Sequence, residues 1–315
     1  MIEDSKLPNT LQEAIIYFSN PDVCLELVAS LRWKDGIATC PRCESQETSF
    51  LKTRRIWKCK VCKKQFSVKV GTIFEDSALG LDKWLTAMWL ICSAKNGISS
   101  YELGRALGFK QKTAWFVNHR IRMAMQTGSF EKLSGNVECD ETFIGGLAKN
   151  MHKWKREQKI KGRGSVGKTA VMGIIERKGK VTAKVIDDLS KETLHTEVKD
   201  KVEKGTNLFT DDWKSYQGLD EDYLHEVINH SAEEYVRGQV HTNSIENFWT
   251  LLKRTIKGTY VSVEPFHLPK YLDEQVFRFN ERKGNDKDRF LKAVANISGK
   301  RLTYEELIGY CSRSI

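Results

Sequence analysis

Asn136-Val137-Glu138-Cys139-Asp140-Glu141-Thr142-Phe143-Ile144-Gly145-Gly146 alternates apolar and polar side chains and then runs into a glycine pair. Successive strand residues point to opposite faces, so this spacing predicts a strand with Val137, Cys139 and Glu141 on one face and Glu138, Asp140 and Thr142 on the other. Asp140 is then a carboxylate held rigidly by a sheet. A second carboxylate, Asp211 or its neighbour Asp212, follows the apolar run Asn207-Leu208-Phe209. A third, Glu246, lies in His241-Thr242-Asn243-Ser244-Ile245-Glu246-Asn247-Phe248-Trp249, at the start of an expected helix. Two strand-end aspartates and a helix glutamate, remote in sequence, make the oxygen-donor set with which a pair of Mg²⁺ ions clamps a phosphodiester.

The 315 residues exceed one average domain and can bury a sizeable core. Lys and Arg number 51 against 41 Asp and Glu, and the resulting +10 fits a polyanionic partner, although an ordinary basic soluble protein has the same balance. Of eight cysteines, four form two Cys-x-x-Cys pairs; Cys24, Cys92, Cys139 and Cys311 read as buried free thiols, which suits a reducing compartment. The first residues carry no signal pattern, and no apolar run approaches the roughly 18 residues that span a bilayer. The expectation is a cytoplasmic, nucleoid-associated protein with no membrane partner.

Working outward, the chain divides into N-terminal helices over 1–32, a zinc ribbon over 33–70, a helix-turn-helix-like helical domain over 71–130, an α/β domain over 131–283 and a C-terminal helical tail over 284–315. Helical periodicity over 8–32, with Asn9 as cap, breaks at Asn20-Pro21-Asp22. Cys40-Pro41-Arg42-Cys43 and Cys59-Lys60-Val61-Cys62 are spaced to complete a tetrahedral Cys₄ site for structural Zn²⁺, with short strands between them. A redox dithiol predicts one such pair beside a βαβ unit, so zinc is preferred. Arg42, Lys52, Arg54, Arg55, Lys58, Lys60, Lys63 and Lys64 decorate the ribbon, as phosphate contacts or as a merely solvated face, the basic zinc module favouring the former. Residues 81–127 read as all helix. A short helix ending at Gly108, then a second bearing Lys110, Lys112, His119, Arg120 and Arg122, has the helix-turn-helix pattern, with Lys112, Arg120 and Arg122 facing DNA. The plainer reading keeps Val117, Ile121 and Met125 as core and the basic residues as ordinary surface.

From Gly135 the pattern turns to strands. Lys149 to Lys168 holds eight Lys/Arg and one acid, so it is expected to be a loop, solvated or lying along a phosphate backbone. Inside it, Gly162-Arg163-Gly164-Ser165-Val166-Gly167-Lys168-Thr169 matches a nucleotide-binding P-loop letter for letter. A strand instead of a helix is expected to follow, so nucleotide binding is rejected. The order βββαβαβα then predicts a mixed sheet flanked by helices on both faces, the ribonuclease-H-like arrangement, in which the strands of Asp140 and Asp211 are neighbours. Asn243-Ser244-Ile245-Glu246 also has the form of a helix capping box, which would tie Glu246 to its own backbone. Ile245, Phe248, Trp249 and Leu252 recur at core spacing and leave Glu246 off the buried stripe. Lys253, Arg254 and Lys257 continue the exposed side as phosphate contacts, and His241 orients a carboxylate or DNA, or is an ordinary loop histidine.

Cys40-Pro41-Arg42-Cys43, Cys59 to Cys62, Asp140-Glu141-Thr142, Thr210-Asp211, His241 to Trp249 and Tyr271-Leu272-Asp273-Glu274-Gln275-Val276-Phe277-Arg278-Phe279-Asn280 follow one another in order. In this the chain resembles the Merlin-like transposases of bacterial insertion sequences, which carry a zinc ribbon ahead of a DDE domain, from about Trp33 to Arg282. The resemblance implies that Asp140, Asp211 and Glu246 are the catalytic acids and bind Mg²⁺ or Mn²⁺. Some related enzymes use asparagine in third place, so Asn243 stays open beside Glu246, as Asp212 does beside Asp211. It further implies hydrolysis at the element ends, transfer of the freed 3′-hydroxyls to target DNA without a covalent protein intermediate, double-stranded DNA as partner, and a homo-oligomer that holds both ends. The rival readings are a non-catalytic zinc-ribbon regulator and a nuclease on the same fold.

Overall fold

The computed structural model describes residues 7–126, 131–146, 152–159, 166–228 and 240–309, which fall into two compact units. One is built from residues 1–126 and 281–315, and the other from 127–280.

The first unit opens with α1 (Leu11–Phe18) and α2 (Pro21–Arg32), broken where Asn20 caps α2 and Pro21 takes its first position. The cap of α1 is Thr10, one residue later than expected: its side chain accepts the Glu13 amide, and the Glu13 carboxylate in turn takes the Asn9 amide at 2.8 Å. A three-stranded antiparallel sheet follows: β1 (Thr48–Leu51), β2 (Ile56–Cys59) and β3 (Gln65–Phe66). It is too small for a conventional core. Trp57 stands at its centre, with Trp33 and Phe50 rings at 4.9 Å and Phe66 at 6.2 Å.

Next come α3 (Leu81–Ser93), α4 (Ser100–Leu107) and α5 (Gln111–Met125). A Ser99/Glu102 capping box starts α4, and Gly108, at φ +70°, ends it in the left-handed conformation that glycine adopts without strain.

The second unit centres on a five-stranded mixed sheet. Its elements are β4 (Asn136–Ile144), α6 (Lys153–Lys159), β5 (Thr169–Glu176), β6 (Val181–Ile186), α7 (Lys191–Lys201), β7 (Asn207–Asp211), β8 (Leu224–Ile228), α8 (Asn243–Thr255) and α9 (Leu268–Asn280). The strand order is β6-β5-β4-β7-β8; β6, β5 and β4 are antiparallel, and β4, β7 and β8 are parallel. The alternation read in β4 sorts its residues as expected. Val137 and Cys139 join Leu194 and Val198 of α7 in one apolar cluster. On the opposite face Ile245, Phe248, Trp249 and Leu252 of α8 pack with Val171, Ile175 and residues of α9.

Two expectations change here. The connection from β7 to β8 holds two 3₁₀ turns, Lys214–Tyr216 and Leu219–Glu221, where an α-helix was expected. The basic block expected to be a loop contains α6, while residues 160–165 lie outside the described residues. The P-loop-like motif runs into β5 at Thr169, so a strand stands where a helix N-terminus would have to face a phosphate.

The chain then returns to the first unit with α10 (Asp286–Ala295) and α11 (Tyr304–Leu307). Phe290 of α10 meets Phe18 at 5.3 Å and Trp89 at 5.2 Å. Ile73 donates its amide to Ile297, and Gly299 donates to Gly71. The segment expected to be a separate tail is therefore part of the helical core. Cys311 lies outside the described residues; Cys24, Cys92 and Cys139 are buried free thiols as expected. Among the described residues no single helix is long and apolar enough to cross a membrane.

Candidate active site

The four cysteines converge. Cys40 Sγ lies 3.7 Å from Cys62 Sγ and Cys43 Sγ 3.6 Å from Cys59 Sγ, and all four sulfurs fall within 4.8 Å of one another. Glu44 and Lys63, the residues following the two Cys-x-x-Cys turns, both adopt positive φ, 58° and 61°, so the two turns curl their thiols inward in the same way. Four thiolate donors with this spacing fit one tetrahedral structural zinc ion.

In the second unit, Asp140 and Asp211 sit on adjacent parallel strands. The pairing Asn136–Asn207, Val137–Leu208 and Glu138–Phe209, continued by two residues, sets Asp140 level with Asp211. Across the antiparallel pair, Asp140 stands opposite Gly173. A side chain at Gly173 would collide with Trp249, whose ring carbons lie 2.5 Å from where a Cβ would be. Without one, the buried indole lies over β5, and its Nε1–H donates to Asp140 Oδ2 at 2.9 Å.

Glu246 lies in the first turn of α8 and is exposed. It forms no capping box: its carboxylate accepts from the Thr242 hydroxyl at 3.1 Å, and α8 has no side-chain cap from Thr242. The cap is supplied by Glu138, from 106 residues away in sequence. Glu138 Oε2 accepts the amides of Ser244 (2.8 Å) and Ile245 (3.0 Å), two of the amides that a helix start leaves without an internal acceptor. Its Oε1 receives Arg177 Nε at 2.6 Å, with His241 Nδ1 at 3.3 Å. Arg177 also donates to the His241 carbonyl at 2.7 Å and lies over the Phe209 ring at 4.2 Å.

Electrostatics mark the same spot. Burial pushes the Asp140 carboxyl up to about 6, and the charges of Asp211 and Glu246 add to the rise, opposed by the Glu141 amide and the Trp249 indole. Glu141, on the other face, is pushed up to about 8 by burial, opposed by the Tyr216 hydroxyl bonded to it and raised further by Asp140 and Asp211. Glu138, by contrast, has its charge offset by Arg177 and the helix amides. Asp211, Asp140 and Glu246 therefore share a region of excess negative charge, which divalent cations relieve and hard carboxylate oxygens suit. Their spacing is open: among the described residues only the four cysteines form a group of three or more whose ligand atoms all lie within 4.8 Å. Asp212 and Asn243 are exposed.

The expected DNA-facing residues separate. Lys112 is exposed at the start of α5, its Nζ 4.5 Å from the Tyr304 ring centre. Arg254 is exposed and Lys253 half-buried on α8. Arg120 and Arg122 are not at the surface, being only 3 % and 1 % exposed. The Arg120 guanidinium donates to the Glu75 carbonyl and lies over Trp84 and Phe116. They belong to the core because α5 is enclosed by α3, α4, α10 and α11, leaving no broad solvent face for its basic residues. Glu138, Gly173, Arg177 and Trp249 were not singled out as site residues from sequence. Glu138 shares the period-two face of Asp140, which is the one local signal that pointed to it.

Comparison with known proteins gives these features a context. Residues 132–280 match the model of the ISXO2-like transposase domain, and residues 19–65 that of the transposase zinc-ribbon domain. The chain is 26% identical over 240 residues, 72% of its length and 80% of the relative, to an uncharacterized protein in transposable element ISH50 of Halobacterium salinarum. It is 30% identical over 122 residues, 38% of its length and 98% of the relative, to an uncharacterized transposase-like protein of Haemophilus influenzae.

Proposed function

Because this chain belongs to the ISXO2-like transposases of insertion sequences, we propose that its second unit is a ribonuclease-H-like catalytic domain in which Asp140, Asp211 and Glu246 hold divalent ions. One observation carries the reading: the parallel β4–β7 register sets Asp140 level with Asp211, and the charges of Asp211 and Glu246 help push the Asp140 carboxyl up. Glu138, two residues away on the same strand face, has the Arg177 guanidinium beside it instead.

Asp140, Asp211 and Glu246 would hold Mg²⁺ or Mn²⁺, which would supply charge neutralisation at the phosphodiester and acidify the attacking water or hydroxyl. The chain supplies the rest. Trp249 fixes Asp140 Oδ2 and so orients the carboxylate. Parallel β4–β7 pairing sets Asp211 at the level of Asp140, and α8 offers Glu246 from an exposed first turn. Lys253 and Arg254, about two turns further along α8, grip the DNA backbone. Water attacks the phosphodiester at the element end, breaking the P–O3′ bond to leave a 5′-phosphate and a free 3′-hydroxyl. That hydroxyl then attacks a target phosphodiester in line and expels the target's 3′-hydroxyl, with no Ser or Tyr nucleophile used.

The zinc ribbon and the helix-turn-helix-like α4–α5 pair, with Lys112, recognise the element's ends in double-stranded DNA. Two ends must be held together, so the working form is a homo-oligomer on DNA, in the cytoplasm with the nucleoid. The test is incubation of purified protein and Mg²⁺ with DNA carrying the ends of its element, beside Asp140→Ala. Cleavage and end joining that vanish in the variant support the reading. Cleavage without joining selects a nuclease, and end binding without cleavage selects a regulator.

A further inference from the structure

We propose that Glu138 is a positioning residue for Glu246: by capping α8 from within the sheet, it sets where the third acid of the site stands. The inference rests on the reading of Asp140, Asp211 and Glu246 as ion-binding acids.

Glu138 is fully buried, yet its environment differs from that of a cation ligand. Both its oxygens are used. Oε2 accepts the Ser244 and Ile245 amides, while Oε1 faces Arg177 Nε and His241 Nδ1. Arg177 and the positive end of the α8 dipole already balance its charge, so a cation there would be repelled. The acid two residues along the same strand face, Asp140, differs in its charged neighbours: it accepts from the Trp249 indole, and the charges near it are those of Asp211 and Glu246.

The consequence is mechanical. Glu246 follows Ile245 directly, so the residue whose amide Glu138 holds at 3.0 Å is its immediate neighbour. Thr242 offers α8 no side-chain cap; Glu138 takes the Ser244 and Ile245 amides, and His241 Nδ1, itself 3.3 Å from Glu138 Oε1, takes that of Asn243 at 3.4 Å. Arg177 ties the same carboxylate to the backbone of His241, just ahead of the helix. Rotation or fraying of the first turn would carry Glu246 away from Asp140. Glu138 and Asp140 lie on one strand, so the separation of Asp140 and Glu246 is referred to a single rigid element.

The experiment measures Mn²⁺ affinity of the full chain by calorimetry, with DNA cleavage as a second readout, for Glu138→Ala, Glu138→Gln, Glu246→Gln, both double variants and Asp140→Ala. Far-UV circular dichroism and zinc content report folding. Glu138→Ala should weaken Mn²⁺ binding about 10–100-fold, as removal of groups that orient metal ligands does, with fold and zinc unchanged. Glu138→Gln keeps one carbonyl oxygen for the α8 amides and should lose less. In the Glu246→Gln background neither change should weaken Mn²⁺ further, because the group being positioned is gone. Wild-type Mn²⁺ affinity in a folded Glu138 variant, or additive losses in the double variants, overturns the proposal. Should Glu138→Ala not fold, Glu138→Gln and its double variant carry the same test. If Asp140→Ala binds Mn²⁺ like the wild type, the acid-site reading itself falls and this inference with it. Loss in Asp140→Ala without loss in the Glu138 variants removes this inference alone.

Discussion

Gly173 stands directly opposite Asp140 in the β4–β5 pair, and the room left by its missing side chain is filled by the Trp249 indole that donates to Asp140. Gly173→Ala therefore acts on the acid at one remove. It should cost about 1–3 kcal/mol of stability, as overpacking a filled core usually does, and displace the indole. Trp249→Phe keeps an aromatic ring and deletes the donor, so it should leave the fold nearly intact while cleavage falls about tenfold or more. Thermal unfolding and single-turnover cleavage, measured together, separate the two effects.

The pH dependence follows from Asp140. Its pKa is raised to about 6, so the metal-free folded state binds more protons than the unfolded chain between about pH 4 and 6. Stability of the metal-free protein should decline as pH rises through that window, the reverse of the trend for a salt-bridged carboxylate. Glu141, raised to about 8, extends the decline upward. A cation must displace the Asp140 proton, so Mn²⁺ affinity should drop about tenfold per pH unit below 6. Titration calorimetry from about pH 5 to 8 checks the sign; a flat profile between about pH 5 and 6 would contradict it.

Zinc should hold the ribbon and leave the catalytic unit alone. Cys43→Ser removes one of four thiolates and should abolish the bound zinc, seen by elemental analysis. Amide exchange in β1 to β3 should then become fast, while the β4 and β5 amides keep their protection. Faster exchange in both sheets would show that the two units do not fold independently.

Arg120 and Lys112 should respond in opposite ways. Arg120→Ala removes a buried guanidinium packed on Trp84 and Phe116 and should lower stability by about 1–3 kcal/mol. Lys112→Ala should leave stability almost unchanged, weaken DNA binding at any sequence, and reduce the salt dependence by about one ion. Arg254→Ala should resemble Lys112→Ala. Filter binding across a salt series distinguishes them.

What could be read from the sequence was what depends on local periodicity. The two faces of β4, the core stripe of α8 and the Cys₄ spacing each declare themselves within a few residues. The neighbouring placement of Asp140 and Asp211 followed from strand order, and β4 and β7 do pair in parallel. Glu138 was opaque because its partners, Ser244 and Ile245, are 106 and 107 residues away, and nothing local distinguishes a capping carboxylate from a coordinating one. Gly173 looked like any strand glycine until Trp249 was seen above it. Arg120 and Arg122 misled because charge is a poor guide to exposure on a helix surrounded by others; an arginine with a carbonyl and aromatic faces to meet can be buried.

The helical unit is discontinuous: residues 281–309 return to complete what residues 7–126 begin, with the acid-bearing unit inserted between. During synthesis the first half must wait for Phe290 and Ile297 before its aromatic centre closes, while the residues of the insert are made without interruption. A ribosome that stops short of that return releases a chain in which the residues of the inserted sheet are all present but the amino-terminal half lacks its closing helices. Premature termination thus yields fragments that carry the whole inserted sheet beside an incomplete helical unit, an asymmetry written into the connectivity.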